Sequence, residues 1–309
     1  MPLFTKRNQE RQRRPRPLFS LAFCLRRKEF ISDDPDLIIS TQEIRLYELN
    51  IGDDRVLRIA NTLRTNKDIK SLNLSRNTFG EDGAFALAMS LTTNTTLEKV
   101  VLAGNNVGTA GTRAIALSLA QNSSVLHLAM PQSQIGNVGA INLARSLKVN
   151  TALTDVYLQC NLIADAGAEA LGEALADNKT LKALDLSDNE IGDAGILALK
   201  EGLATNTTLR HLFLGDNRFS VVGLALLVEL SQQNASLLIL DATARCRSSE
   251  EYAILLTHLR YHLALNQAGR ALIRGEPNPA LLPLILEKVT NDSGLLYGLI
   301  RELPHLYFS

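Results

Sequence analysis

The chain has 309 residues with 32 basic and 32 acidic side chains, and 46% of its residues are hydrophobic. This composition is typical of a folded globular protein, and it excludes a chain whose overall charge is dedicated to binding nucleic acid. No apolar run of about 18 residues occurs, which excludes a membrane-spanning helix.

Residues 1–40 are predicted to form a basic arm. Residues 1–30 contain nine basic and two acidic side chains, a net charge of +7, whereas residues 31–245 have a net charge of −7. An apolar run from Leu18 to Leu25 lies within the arm. We expect a disordered arm, with an organelle-targeting peptide or contact with a membrane surface as open alternatives. Nucleic-acid binding by such an arm would be weak and independent of sequence, so no specific nucleic-acid partner is expected.

Residues 41–245 are predicted to form an array of about eight repeats of 28 residues. Hydrophobic side chains recur in the order L-x-x-L-x-L, as from Leu181 to Leu186, and no insertion disturbs the period. The alternation predicts a short strand with one buried face. A helical pattern follows each strand, as from Ile196 to Leu203, and predicts an amphipathic helix.

Polar and small residues also recur with the same period. An asparagine follows each strand and is expected to bond backbone groups in the turn. These turn asparagines are Asn77, Asn105, Asn161, Asn189 and Asn217, and Ser133 replaces the asparagine of the fourth copy. A glycine six residues later permits either a tight turn into the helix or a close approach of neighbouring repeats. A second asparagine, such as Asn178, falls where the helix ends, and we expect it to adopt the left-handed conformation.

One strand and one helix per repeat, always in the same order, predict a parallel sheet backed by helices. Strands stack about 4.8 Å apart, whereas helices need about 10 Å. The array must therefore curve with its strands inside. The predicted fold class is α/β, a solenoid of horseshoe shape with a parallel inner sheet and outer helices.

Residues 246–309 are predicted to form a helical cap that closes the C-terminal end of the array. Ser248 and Glu251 have the spacing of a capping box at a helix start, and an amphipathic stripe follows from Tyr252 to Leu263. Further helices are expected near residues 280–289 and 294–303.

These motifs resemble the leucine-rich-repeat family, specifically its 28-residue ribonuclease-inhibitor type, which also occurs in NOD-like receptors and Ran GTPase-activating proteins. The pattern L-x-x-L-x-L-x-x-N-x-I-G-x-x-G-x-x-x-L-x-x-x-L-x-x-N is seen almost intact from Leu181 to Asn206, and the resemblance covers about residues 41–245. It implies a solenoid fold. It leaves the partner open, because members of the family bind unrelated partners.

No motif for catalysis or cofactor binding is present. The chain contains no P-loop, no H-E-x-x-H and no G-x-S-x-G sequence. His258 and His262 are four residues apart on a predicted helix, but no third metal ligand accompanies them, so no metal or cofactor is expected. Three cysteines far apart in sequence predict no disulfide framework and favour a reducing, intracellular compartment.

The side chains between the leucines are expected to point out of the inner face of the sheet, which is the extended surface that repeat arrays offer to partners. We predict that a protein partner binds there, and no small-molecule substrate is expected. The predicted contact residues are Lys99, Val101, His127, Asp155, Tyr157, Asp185, His211, Phe213 and Asp241. His127 and Asp155 could form an acid–base dyad, but without a nearby nucleophile an exposed ion pair is the preferred interpretation.

The sequence therefore favours a non-enzymatic, intracellular adaptor or regulatory module. The alternative, from the family resemblance, is a GTPase-activating protein similar to the Ran-type activators. Those proteins carry a strongly acidic C-terminal tail, whereas residues 246–309 contain six basic and six acidic side chains. An inhibitor of a nuclease or protease is a third, minor hypothesis. Single-turnover GTP hydrolysis by a small GTPase, with and without this protein, separates the first two.

Overall fold

The structure is a computed structural model that describes residues 38–39, 42–243 and 250–273, and the side chains of residues 42–243 and 250–267. The expectations for residues 1–37, for the capping box at Ser248 and for helices near residues 280–289 and 294–303 fall outside the described residues. From Glu43 to Ile273, short strands alternate with helices in the described residues, as the repeat period predicts.

The strands form one open sheet whose spatial order is the order of the sequence. They are β1 (Ile38–Ile39), β2 (Glu43–Arg45), β3 (Ser71–Asn73), β4 (Lys99–Val101), β5 (His127–Ala129), β6 (Asp155–Tyr157), β7 (Ala183–Asp185), β8 (His211–Phe213) and β9 (Ile239–Asp241). β1 pairs antiparallel to β2. Every later pair is parallel, and each residue lies opposite its equivalent in the next repeat, as Val156 lies opposite Leu184.

The helices lie one per repeat on the other side of the core. They are α1 (Asp53–Leu63), α2 (Glu81–Leu91), α3 (Gly108–Leu119), α4 (Gly136–Val149), α5 (Asp165–Asp177), α6 (Asp193–Ala204), α7 (Val221–Gln233) and α8 (Glu250–Ile273). The leucines of the strand motif and the apolar stripe of each helix are buried in one continuous core between the two layers. This is the predicted α/β solenoid.

The turn asparagines bridge neighbouring repeats. The Asn189 amide nitrogen donates to the carbonyl of Leu158 in the preceding repeat and to that of Leu186 in its own, both at 3.0 Å. Its amide oxygen accepts from the backbone nitrogens of Asn161 and Ile163, also at 3.0 Å. Asn77 and Asn217 make the same inter-repeat contact to the carbonyls of Leu46 and Leu186. Each such side chain satisfies backbone groups that are buried away from water.

The asparagines at the helix ends also join repeats, but not in the conformation we expected. Asn178 donates to the Leu147 carbonyl of the preceding repeat at 2.8 Å and accepts from the backbone nitrogen of Leu181 at 2.8 Å. Its backbone is extended, with φ −70° and ψ 131°, and Asn150 and Asn234 are extended as well. The prediction of a left-handed residue is wrong there, because asparagine is required for its side-chain bonds.

Each of the first seven repeats has instead a left-handed residue directly before the turn position, which holds asparagine, Ser133 in the fourth copy or Leu49 in the first. These residues are Glu48, Arg76, Gly104, Gln132, Cys160, Asp188 and Asp216, with φ between 52° and 68°. Asn50, Gln134 and Leu162, each directly after the turn position, are left-handed as well. The glycine six residues after the turn asparagine serves close packing. A Cβ on Gly195 would lie 2.7 Å from both Ile191 Cγ2 and Asp165 Oδ1.

Polar side chains at the helix starts cap the helix of the following repeat. Asp165 Oδ1 accepts hydrogen bonds from the backbone nitrogens of Gly192 at 2.6 Å and Gly195 at 3.0 Å. Asp53, Asn137 and Asp193 make the equivalent contacts. An acceptor at a helix N-terminus satisfies free N–H groups, and a carboxylate also interacts favourably with the helix dipole.

Helix α8 packs on the last repeat and covers the end of the core. Tyr252, Leu259 and Leu263 are buried, and the Tyr252 hydroxyl donates to the Ala242 carbonyl at 3.2 Å. Asn266 donates to the carbonyls of Asn234 and Leu237, both at 2.9 Å. Asn266 therefore joins α8 to the last repeat by side-chain bonds, as the helix-end asparagines join earlier repeats, although it lies within its helix and outside the register of the repeat.

Candidate functional site

The first and third residues of each strand form two parallel rows on the face of the sheet opposite the helices. The register of β4 to β9 places the first residues in the row Lys99, His127, Asp155, Ala183, His211 and Ile239. The third residues form the row Val101, Ala129, Tyr157, Asp185, Phe213 and Asp241. Neighbours in a row are about 4.8 Å apart. All nine predicted contact residues thus lie on one face, in two adjacent rows.

Aromatic and acidic side chains alternate in the second row, in the order Tyr157, Asp185, Phe213 and Asp241. Tyr157 is partly buried, and this burial, followed by the carboxylates of Asp155 and Asp185, raises the pKa of its hydroxyl. Tyr157 therefore stays neutral near physiological pH and can donate a hydrogen bond from the end of a rigid ring.

The two aspartates of this row are held in place by local hydrogen bonds. Asp185 accepts from the backbone nitrogen of Ser187 at 2.9 Å and from the side-chain amide of Gln159. Asp241 accepts from the backbone nitrogen of Thr243 at 3.1 Å. Side chains fixed before binding lose less conformational entropy when a partner docks.

His127 and Asp155 contact each other across β5 and β6. Their Nδ1 and Oδ2 atoms are 2.7 Å apart, and Thr154 Oγ1 donates to the same carboxylate oxygen at 2.6 Å. Among the described residues, Cys160 is the one cysteine. Burial and then the Asp188 carboxylate raise the pKa of its thiol, so it stays protonated and does not supply a nucleophile.

The N-terminal end of this face carries charges of both signs, whereas its C-terminal half is acidic. At the N-terminal end, Arg45 pairs with Glu43 at 2.8 Å, and its hydrogen bond lowers the pKa of the Glu43 carboxyl. The Arg76 guanidinium lies 5.6 Å from the centre of the Tyr47 ring. The C-terminal half is acidic and includes Asp188 and Asp216 beside the aspartates of the two rows.

Sequence analysis missed Asp188 and Asp216 as parts of this surface. Both occupy the left-handed position directly before the turn asparagine, where φ is 54° and 57°. Aspartate tolerates this conformation better than most residues. Their position in the repeat is the signal that could have placed them at the edge of the sheet.

The described residues also bear on metal binding and on membrane-spanning helices. No group of three or more histidine, cysteine, aspartate or glutamate side chains there could hold a metal ion. His258 is exposed, whereas His262 lies 3.2 Å from the Gln232 amide on α7. In the same part of the chain, no helix combines the length and the apolar character that crossing a bilayer requires.

The fold and the two rows of strand side chains define a solenoid whose inner face presents side chains at regular spacing. A family model for the leucine-rich repeat matches residues 65–88, 93–116, 149–172, 177–200 and 205–228. The matches follow the repeat period and omit the copy that contains Ser133. Together with the parallel sheet, they show that the matched part of the chain consists of leucine-rich repeats.

No curated protein sequence matches this chain. Among solved structures, the chain is similar to actin-binding site 2 of leiomodin-1, with 24% identity and a TM-score of 0.39, over 45% of this chain and 80% of that one. It is also similar to the tropomodulin C-terminal domain of Caenorhabditis elegans, with 14% identity and a TM-score of 0.40, over 60% of this chain and 97% of that one.

Proposed function

We propose that this protein is a non-enzymatic, intracellular interaction module that binds a protein partner on the inner face of its sheet. The binding surface is centred on Val101, Tyr157, Asp185 and Phe213, with Lys99, Asp155 and His211 beside them. We further propose a division into a basic arm at residues 1–40, a repeat array at 41–245 and a helical cap at 246–309.

The observation that supports this proposal most strongly is the alternation of Tyr157, Asp185, Phe213 and Asp241 in adjacent strands. Aromatic side chains provide large contact areas at low entropic cost and are enriched at interaction hot spots. Fixed carboxylates between them accept hydrogen bonds from a partner and select against acidic surfaces. This half of the inner face therefore suits a partner segment that combines apolar and basic side chains.

A quantitative pull-down from the native cell tests the proposal. It compares the wild-type protein, the double variant Tyr157→Ala/Phe213→Ala and a control, Glu173→Ala/Glu201→Ala, on the outer face of α5 and α6. A hot-spot residue contributes about 2 kcal/mol or more, so we expect the inner-face variant to lose at least about thirtyfold in affinity. Undiminished recovery of every partner by the inner-face variant would reject the proposal.

A further inference from the structure

The outer face of the first three helices carries an exposed apolar cluster. Leu57 on α1, Phe85 and Met89 on α2 and Leu117 on α3 are each between 47% and 61% exposed. Leu57 and Phe85 occupy one position of the repeat, and Met89 and Leu117 occupy the position one helical turn later. The four side chains, here called the outer patch, therefore lie next to one another across three adjacent helices.

The repeat itself does not require these apolar side chains. The position of Met89 and Leu117 is occupied by Arg145, Glu173, Glu201 and Glu229 in the four following helices. Surface positions that need only solubility carry charge, as those four do. Single exposed apolar side chains also occur on later helices, as at Val138, Leu197 and Val222. The outer patch differs because it brings four of them together on adjacent helices, and a contiguous apolar patch marks an interaction surface.

The apolar run of the arm matches this patch in chemistry. Residues 18–25 read LFSLAFCL and are followed directly by Arg26, Arg27 and Lys28. The patch has a complementary arrangement, because the exposed carboxylates of Asp54, Glu81 and Asp82 lie at its helix-start end and outnumber the exposed cation of Arg55 there.

Charged side chains also give the outer patch a direction. Arg58 and Arg113 flank its middle and are exposed. The basic triplet is therefore attracted to the helix-start end and repelled from the middle, which fixes the direction in which the apolar run would lie.

The connection between run and patch is long enough. The chain enters the sheet at Ile38, and β1 pairs with β2 at the end of the array to which α1 belongs. The 13 residues from Leu25 to Ile38 span at most about 43 Å. A path from β1 around the edge of the array to the helix layer, and then across two helices, is about 30 Å long, since each layer or helix adds about 10 Å.

We propose that residues 18–25 of this chain dock on the outer patch of α1–α3 in the same molecule, with Arg26, Arg27 and Lys28 beside the acidic helix starts. This contact is separate from the inner face, so the arm would cover the outside of the array and leave the partner surface free. Docking would give residues 18–25 a structural role, whereas the composition of the arm alone suggested disorder.

The native Cys24 within the run permits a direct test on the full-length chain. A fourth thiol, besides those of Cys24, Cys160 and Cys246, is introduced by Arg113→Cys, at an exposed position that borders Phe85 and Leu117 without belonging to the patch. The matched control is Lys99→Cys, at an exposed position on the inner face of the sheet, three strands or about 14 Å from β1 and therefore within reach of a freely moving arm. Each protein is treated with a short bismaleimide, and cross-linked peptides are identified by mass spectrometry of the monomer.

We expect a cross-link from Cys24 to the thiol introduced by Arg113→Cys, with a yield about tenfold above that of the control, because docking holds the two thiols together. Adding Leu21→Asp to the Arg113→Cys protein should abolish the excess, while alkylation of Cys24 by a monofunctional maleimide persists. Equal yields in both proteins would show an arm that moves freely and would overturn the proposal. Cross-links that form only between molecules, or no cross-link at all, would overturn it as well.

Discussion

Gly202 on α6 faces Gly172 on α5 so closely that a Cβ on Gly202 would lie 1.9 Å from the Gly172 carbonyl oxygen. A Cβ on Gly172 would in turn lie 2.5 Å from the Ala198 carbonyl oxygen. The backbones of the two helices are therefore in direct contact. This contact depends on the absence of both side chains, because backbone atoms cannot move aside as the end of a flexible side chain can.

We expect Gly202→Ala to destabilise the protein by about 3 kcal/mol, although the same change in an open helix stabilises by about 1 kcal/mol. The reason is that α5 and α6 must separate to admit the methyl group. Urea unfolding followed by circular dichroism measures the effect. The control, Glu201→Ala, lies on the exposed side of the same helix and should leave stability within about 0.5 kcal/mol of wild type. An increase in stability for Gly202→Ala would contradict the packing described.

Substitution of Leu162 by glycine is expected to increase stability, opposite to the effect of Gly202→Ala. Leu162 is 63% exposed and has φ 58°, a conformation that costs a leucine about 1–2 kcal/mol. We expect Leu162→Gly to stabilise the protein by about 0.5–1 kcal/mol, since relief of strain exceeds the added entropy of the unfolded chain. Leu197→Gly, at an exposed position within α6, should destabilise by about 1 kcal/mol. If both glycine variants lose stability equally in thermal unfolding, Leu162 is not strained as the backbone indicates.

The fourth repeat has Ser133 where neighbouring repeats have the turn asparagine, and we expect it to tolerate asparagine at that position. Ser133 Oγ lies 3.5 Å from the Leu102 carbonyl oxygen, whereas Asn161 Nδ2 lies 2.7 Å from the equivalent oxygen of Met130. We expect Ser133→Asn to stabilise the protein by about 1 kcal/mol through stronger bonds to buried carbonyls. The reciprocal change, Asn161→Ser, should cost about 2 kcal/mol. Denaturant midpoints of the two variants that shift in the same direction would refute this account of the turn.

The pKa of Cys160 predicts how its reactivity depends on pH. Burial and the Asp188 carboxylate raise the pKa of the thiol, so little thiolate exists near neutral pH and alkylation is slow. The rate should rise with pH around a midpoint above that of the same peptide in the denatured chain. Asp188→Asn removes a negative charge and should lower this midpoint. Iodoacetamide labelling of the Cys160 peptide, followed by mass spectrometry, measures both; a midpoint equal to the denatured value would contradict the burial of this thiol.

The period of the sequence was sufficient to predict the strands, the helices and the order of the sheet, because each follows from residues within one repeat. Contacts between unlike positions of neighbouring repeats were not visible in that period. Gly172 and Gly202 fall in different columns when the repeats are aligned by their leucines. Asn266 likewise lies outside the column of Asn234, so its role in the cap is evident only once α8 is placed on α7.

The inner-face residues were predictable for a related reason, while the chemistry of the turns was not. Alternation within a strand determines which side chains leave the sheet, and the constant repeat length determines which of them become neighbours. The left-handed backbone at Cys160 or Asp188 has no such signal, because most of these positions hold residues other than glycine. The helix-end asparagines were recognised as recurrent, but side-chain bonds, rather than backbone conformation, explain why they recur.

Site-specific photo-cross-linking tests the central claim most directly. A benzophenone amino acid is placed at Ala129, between Val101 and Tyr157 in the inner row, or at Arg145 on the outer face of α4 as the control. We expect a covalent adduct with a protein partner from Ala129 but not from Arg145, and its loss when Tyr157→Ala/Phe213→Ala is added. An adduct from Arg145 alone, or an Ala129 adduct that survives the double substitution, would contradict binding through the inner face.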